Sequence, residues 1–374
     1  MSESCSRSLA RLVRAAVAIA ALCGAATGAQ AQGQALLGVY YGNQGFNMDQ
    51  VRAMEAWQGK RHAVVNLFTD WCSRSKNLDN LFKLQLPNVW ANGNVPIISW
   101  EPYLCSPSAT PNDVEVRAAR GDYDAYLNAW ADRLKAFVSG PDGSLGTADD
   151  RRVYIRLAHE MNGNWYPWGA AVGGNSSASY ILMWQRVRGI FWTKGLDART
   201  VQWIWAVNHE DVGAGRAEDY YPGDAYVDWI GIDGYNWGAS QSWSSWSTPE
   251  QVFAPMLARL RGLTAKPLAL TETASSSSMP GRVDVAAKSL WITQLFNYAT
   301  ASTTGARMIV WFNEDKETDW AVFGGTNGHE TYRGGRTNYK AYRSYRGATQ
   351  APALLPSSAG DPRLLTDAFF AGVW

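Results

Sequence analysis

Apolar residues fall along the chain in short, nearly continuous runs separated by polar and glycine-containing stretches. Eight such runs stand out: Leu36 to Gly42, Ala63 to Thr69, Val95 to Glu101, Val153 to Glu160, Val201 to Asn208, Val227 to Tyr235, Pro267 to Thr273 and Arg307 to Asn313. Runs of this length with apolar residues on both faces predict strands of a buried parallel sheet. Helical spacing lies between them, clearest at Tyr123, Tyr126, Trp130, Leu134 and Phe137, and again at Ile181, Trp184, Val187 and Phe191 ahead of Gly195 as a C-terminal cap. Eight strand–helix units predict a closed (β/α)₈ barrel, an α/β fold in one domain. An open doubly wound sheet is the alternative, but Tyr41-Gly42-Asn43-Gln44-Gly45 lacks the glycine spacing of a dinucleotide-binding turn. The barrel is assigned to residues 32–348. Residues 349–374, ending in Phe369-Phe370 and Val373-Trp374, are expected to pack on it as a tail.

The N-terminal pattern differs. Arg7, Arg11 and Arg14 precede an apolar run from Ala15 to Ala26 and then Ala29-Gln30-Ala31, the layout of a secretory signal peptide over residues 1–31. That run is shorter than the roughly 20 residues that span a bilayer. The expectation is an exported protein, periplasmic or extracellular, with no membrane association after cleavage. Cys5 and Cys23 would leave with the leader, and Cys72 and Cys105, both just past predicted strands, would form one disulfide in an oxidising compartment. Charge is balanced at 34 Lys+Arg against 33 Asp+Glu, and at 31 against 32 once the leader is removed. No basic face for nucleic acid is implied, and a neutral partner fits better. The 19 Trp, 17 Tyr and 11 Phe supply flat rings of the kind that stack on sugar C–H faces.

Reactive groups of a (β/α)₈ barrel sit where strands end. The fourth predicted strand ends in Arg156-Leu157-Ala158-His159-Glu160, the sixth in Asp233-Gly234-Tyr235, the seventh in Thr271-Glu272-Thr273 and the eighth in Trp311-Phe312-Asn313-Glu314-Asp315. Period-two alternation groups Glu160 with Ala158 and Arg156, and Glu272 with Leu270 and Leu268, so both carboxyls can face the barrel mouth. Two carboxyls flanking a bond are what glycoside hydrolysis requires, one giving a proton and the other attacking as an anion. A structural ion pair with Arg156 is the competing reading of either acid. The loop from Asp142 to Asp150 lacks EF-hand spacing and reads as a solvated turn, with a bound cation as the alternative; the reaction itself calls for no metal and no cofactor.

The run Arg156-Leu157-Ala158-His159-Glu160-Met161-Asn162-Gly163-Asn164-Trp165-Tyr166-Pro167-Trp168 resembles the acid/base motif of glycoside hydrolase family 26, which contains β-mannanases, mixed-linkage β-glucanases and β-1,3-xylanases. The resemblance continues through Val227 to Tyr235 and the Glu272 strand. It implies Glu160 as proton donor and later base, Glu272 as nucleophile of a retaining double displacement, and Tyr235 as hydrogen-bond donor to that nucleophile. It also implies sugar contacts from His159, Trp165, Asp233 and Trp311, while Trp168 is a stacking-platform candidate by its loop position. Alternation turns His159 away from Glu160 unless a bulge re-aims it. Glu101, ending the third strand, joins as a substrate-side acid, while Trp237, Trp243 and Trp246 are further platform candidates. His209 is the one other His near a strand end able to serve a mannan-specific role. The pattern departs from the family after the nucleophile, where Thr273-Ala274 lead into Ser275 to Ser278. The expected activity is an endo-acting β-1,4-mannanase. A mixed-linkage β-1,3-1,4-glucanase or an exopolysaccharide hydrolase is the rival within the class, and a non-catalytic polysaccharide-binding barrel the rival outside it.

Overall fold

The computed structural model describes residues 33–374 apart from Asn43 and Ala214; the proposed leader, residues 1–31, lies outside the described residues. Eight parallel strands close on themselves: β1 (Ala35–Tyr41), β2 (Val64–Asp70), β3 (Val95–Glu101), β4 (Val153–Leu157), β5 (Val201–Asn208), β6 (Trp229–Asn236), β7 (Leu268–Ser275) and β8 (Ala306–Asn313). Each pairs with the next, and β1 returns to β8 with Leu36 opposite Met308 and Tyr41 opposite Asn313. The helices α1 (Asp49–Gln58), α2 (Asp124–Val138), α3 (Ser177–Thr193), α4 (Pro249–Leu263) and α5 (Val285–Thr300) pack outside. The predicted helical spacings are realised in α2 and α3, and Gly195 takes the left-handed conformation just past α3. After β5 only a short 3₁₀ turn, Ala217–Tyr220, occupies the helix position.

Strand alternation splits the core in two. Leu36, Val64, Val95, Ile97, Tyr154, Ile204, Ala206, Trp229, Ala269, Met308 and Val310 fill the barrel interior, while the outward set packs against the helices. Gly231 belongs to the crowded interior, since a Cβ there would lie 2.7 Å from Thr271 Oγ1 and 2.8 Å from Ala206 Cβ. The lower end is closed by the C-terminal segment. Leu354–Leu355 pairs with β1, and Leu364, Leu365 and Phe370 are buried in the interior cluster. Tyr154 Oη donates to Phe370 O at 2.9 Å, and the Arg152 guanidinium lies 4.9 Å from the Phe370 ring and donates to Leu365 O and Asp367.

At the mouth, Cys72 and Cys105 are joined in a disulfide that ties the loops after β2 and β3. The Asp142–Asp150 carboxylates accept from backbone amides within their own loop, Ser144 N to Asp142 at 2.8 Å and Gly146 N to Asp150 at 2.8 Å. They act as turn caps.

Candidate active site

Two local departures from regular strand geometry build the site. β4 stops at Leu157, three residues before the predicted end, because Ala158 and Glu160 take positive φ of 46° and 54°. That conformation is uncommon for residues with a side chain and persists only where surroundings hold it. Here Ala158 N donates to Trp100 O at 3.0 Å, Tyr180 Oη to Ala158 O at 3.1 Å, and Glu160 N to Ala206 O at 3.0 Å. On β7 the pairing register slips after Leu270 against both neighbours. Leu268 and Leu270 belong to the outer core and Ala269 to the interior, so plain alternation would have turned Glu272 outward. The irregularity at Thr271–Glu272 instead aims both side chains inward. Thr271 Oγ1 donates to Asp233 Oδ1 at 2.6 Å, and the Glu272 carboxylate meets Arg156 and Tyr235.

Arg156 is the hub. Its wholly buried guanidinium donates to Ser99 Oγ at 2.9 Å, to Asp233 Oδ2 at 2.5 Å and to Glu272 Oε1. Glu272 Oε2 accepts from Tyr235 Oη. Glu160 has a different setting, with one donor, the Trp165 indole N–H at 2.8 Å from Oε2. Burial, with the charges of Asp233 and Glu272 adding to it, raises the Glu160 carboxyl well above the usual range. Burial also lifts Asp233 to about 7 and Glu101 to about 7, with the Arg156 charge opposing it in both cases. His159, buried beside Arg156, is pushed far below its ordinary value and is neutral. His159, Asp233 and Glu272 place potential ligand atoms within 4.8 Å of one another, but the two carboxylates already share the Arg156 cation.

Above this layer opens a cleft of about 1090 Å³ bounded by Glu101, Glu160, Glu272, Trp165, Tyr235 and Trp243 among others. Trp165 is 44% exposed and Trp243 68%, so both offer ring surface to a ligand. Opposite, Trp320 packs against Tyr235 with ring centroids 5.0 Å apart and against Trp237 at 4.7 Å.

The sequence model of glycosyl hydrolase family 26 matches residues 31–263. The chain belongs to this family. Endoglucanase H of Acetivibrio thermocellus is 31% identical over 301 residues, covering 79% of this chain, and a mannan endo-1,4-beta-mannosidase of Bacillus subtilis is 23% identical over 205 residues, covering 52%. The chain spans 30% of the length of the first relative and 56% of the second. The solved catalytic domain of a Bacillus sp. JAMB-750 GH26 endo-beta-1,4-mannanase superposes with a TM-score of 0.62 at 18% identity, over 89% of this chain and 90% of that one.

Within this family 26 chain the residues singled out by sequence separate into three layers. Glu160, Glu272, Glu101, Trp165 and Tyr235 line the cleft, as do His209, Trp237 and Trp243. Asp233 and His159 lie beneath it. Asp233 is wholly buried with both oxygens occupied by Thr271 and Arg156, so it supports the site and does not reach a sugar. His159 does turn inward, against simple alternation, because the left-handed Ala158 rotates the chain; its Nε2 meets Tyr166 Oη at 3.2 Å. Trp168 and Trp311 are corrections. Trp168 is fully buried, stacked on Tyr166 at 4.3 Å and donating Nε1 to His159 O at 2.8 Å, because the loop folds back after Glu160. Trp311 is also fully buried, since alternation on β8 sends Met308, Val310 and Phe312 inward and Trp311 out against Trp291 and Tyr345. Phe312, Tyr40, Phe68 and Trp320 form ring surface of the cleft that sequence reasoning passed over. Parity along β8, counted from Met308, was the available signal for Phe312.

Proposed function

We propose that this protein is an exported, endo-acting β-glycoside hydrolase of the retaining type, with Glu160 as acid/base and Glu272 as nucleophile. The observation that carries the reading is the contrast between two carboxyls bordering one cleft. Glu272 accepts from a guanidinium and a phenol, which fix both of its oxygens at the cleft as an attacking group requires. Glu160 is buried with a single indole donor, and burial raises its carboxyl well above the usual range, toward the protonated form a general acid needs. In the first step the leaving oxygen takes the Glu160 proton while a Glu272 oxygen bonds the anomeric carbon. In the second, Glu160 as the anion removes a proton from water, which displaces Glu272. Arg156 and Tyr235 hold Glu272 in place throughout, and the neutral His159 adds no competing charge.

An open cleft flanked by Trp165 and Trp243 suits cleavage within a neutral polymer. The first substrate is β-1,4-mannan, the polymer named for the Bacillus subtilis relative. A β-glucan is the second reading, favoured by the 31% identity to Endoglucanase H across 79% of the chain. The test is reducing-end release from mannans, mixed-linkage glucans and xylans by wild type, Glu160→Ala and Glu272→Ala. Release by wild type that both variants lose supports the assignment; release unchanged in both variants, or none on any polymer, overturns it.

A further inference from the structure

Two features stand outside the mechanism just given: the Ser275–Ser278 run after the nucleophile strand, and the buried Lys288–Asp319 pair. They are one structure. Ser276 and Ser277 are fully buried. Asp319 Oδ1 accepts from Ser276 Oγ at 3.0 Å and from Ser277 N at 2.9 Å, while Oδ2 accepts from Ser277 Oγ at 2.6 Å and Asn327 Nδ2 at 3.1 Å. Lys288, wholly buried on α5, places Nζ 3.8 Å from Oδ2 and donates to Asp319 O and to Ala321 O. The other side of the serine run grips the loop after β6. Ser276 N donates to Asn236 O at 2.8 Å and Ala239 N to Ser278 O at 2.8 Å. Gly238, at φ 55°, passes so close that a Cβ would sit 2.3 Å from Ser278 O.

We propose that Asp319 is a positioning residue: it latches the loop after β8 to the serine run and thereby holds Trp320 against Tyr235, the phenol that donates to Glu272. The path is short. Trp320 follows Asp319 in sequence, is held by Trp311 Nε1 donating to its carbonyl at 3.2 Å and by its own Nε1 donating to Glu317 at 3.1 Å, and presses on Tyr235 and Trp237. A carboxylate with five donors, the fifth being Thr318 Oγ1 at 3.3 Å, and an ammonium fixes its loop far more tightly than a neutral turn would. Loss of the latch frees the Trp320 ring, and with it the Tyr235 hydroxyl, by fractions of an ångström at the attacking group. The role rests on the reading of Glu272 as nucleophile.

The experiment compares wild type, Asp319→Asn, Trp320→Ala and the double variant, by kinetics on the polymer that wild type cleaves and by amide hydrogen exchange. Asp319→Asn is nearly isosteric but puts an N–H where a donor already points. Misplacement of the reacting groups predicts a fall in kcat of roughly tenfold or more, with KM held within about twofold because the loss is confined to the reacting step. In the Trp320→Ala background the same change adds nothing further. Amide exchange at Ser277 and Ala239 quickens by about tenfold or more while the Trp229–Asp233 amides keep their rates. Unchanged kcat, losses that multiply in the double variant, or unchanged exchange at Ser277 would overturn the proposal. Should Asp319→Asn fail to fold, Ser277→Ala removes one donor alone and should show the same pattern at smaller size, about threefold in kcat. A wild type inactive on every glycan sinks the functional reading, and the exchange measurement then still decides the latch.

Discussion

Replacing Arg156 by Met tests the electrostatic arrangement of the site most severely. The side chain is wholly buried and neutralises two buried carboxylates, Asp233 and Glu272, while bonding Ser99. Methionine fills much of the same volume but leaves both acids without their cation. Removing one partner of a buried pair costs about 3–5 kcal/mol. At roughly 2.1 cal/mol/K per residue, the unit from Gly33 to Trp374 has an unfolding entropy of about 0.7 kcal/mol/K, so that loss lowers Tm by roughly 4–7 °C. The penalty depends on pH with a definite sign. Asp233 is already raised to about 7 with Arg156 pulling downward, so removing Arg156 raises it further. A folded-state acid raised above its unfolded value contributes stability at low pH that is lost as pH rises through the folded value. The Tm gap between wild type and Arg156→Met is therefore smallest at pH 4.5 and widens as pH rises above about 7. Scanning calorimetry at pH 4.5, 6 and 8 measures it, and a gap below about 2 °C at pH 8, or one equal at every pH, refutes the reasoning.

Glu101→Gln removes an acid that burial raises to about 7, so the fall in Tm expected of wild type as pH rises from about 4.5 to 7 should be shallower in the variant, read by thermal melts across that range. Glu115 is fully buried with one oxygen on Ser179 Oγ at 3.2 Å and the other unpartnered, and burial raises it well above the usual carboxyl range. Glu115→Gln should gain in Tm relative to wild type as pH rises above about 4.5, because the unfolded carboxyl ionises there while the apolar site resists ionisation; a difference that stays constant with pH counts against this. Cys72→Ser/Cys105→Ser opens a link across 33 residues, which by loop entropy removes roughly 3–4 kcal/mol, visible as a denaturation midpoint shifted to lower guanidinium.

Strand positions were the most legible part of the fold. β3 and β5 run over the predicted residues because each is a largely apolar segment buried on both faces. The strand ends at the mouth were harder, since what shapes them is contact with neighbours. Nothing local to Arg156-Leu157-Ala158-His159-Glu160 announces that Ala158 and Glu160 turn left-handed; bonds to Trp100, Tyr180 and Ala206 hold them there. The β7 irregularity is similar, and the grouping of Glu272 with Leu268 and Leu270 was wrong although the side chain still reaches the mouth. Arg156, read from sequence as a competing structural partner for either acid, is indeed paired with Glu272, and the pairing is part of the site itself. The Trp assignments failed or held by depth. Trp165 and Trp243 reach the cleft from loops, whereas Trp168 and Trp311 are core, a distinction that motif position alone does not carry.

The most direct test of the central claim is to trap the intermediate. Incubation with a 2-deoxy-2-fluoro-β-glycosyl fluoride of the cleaved polymer, digestion and tandem mass spectrometry should find the sugar ester-linked to the peptide that carries Glu272, with no label in Glu272→Ala. A label on Glu160 or Asp233, or none while wild type still cleaves the polymer with inversion of the anomeric centre, would contradict the account.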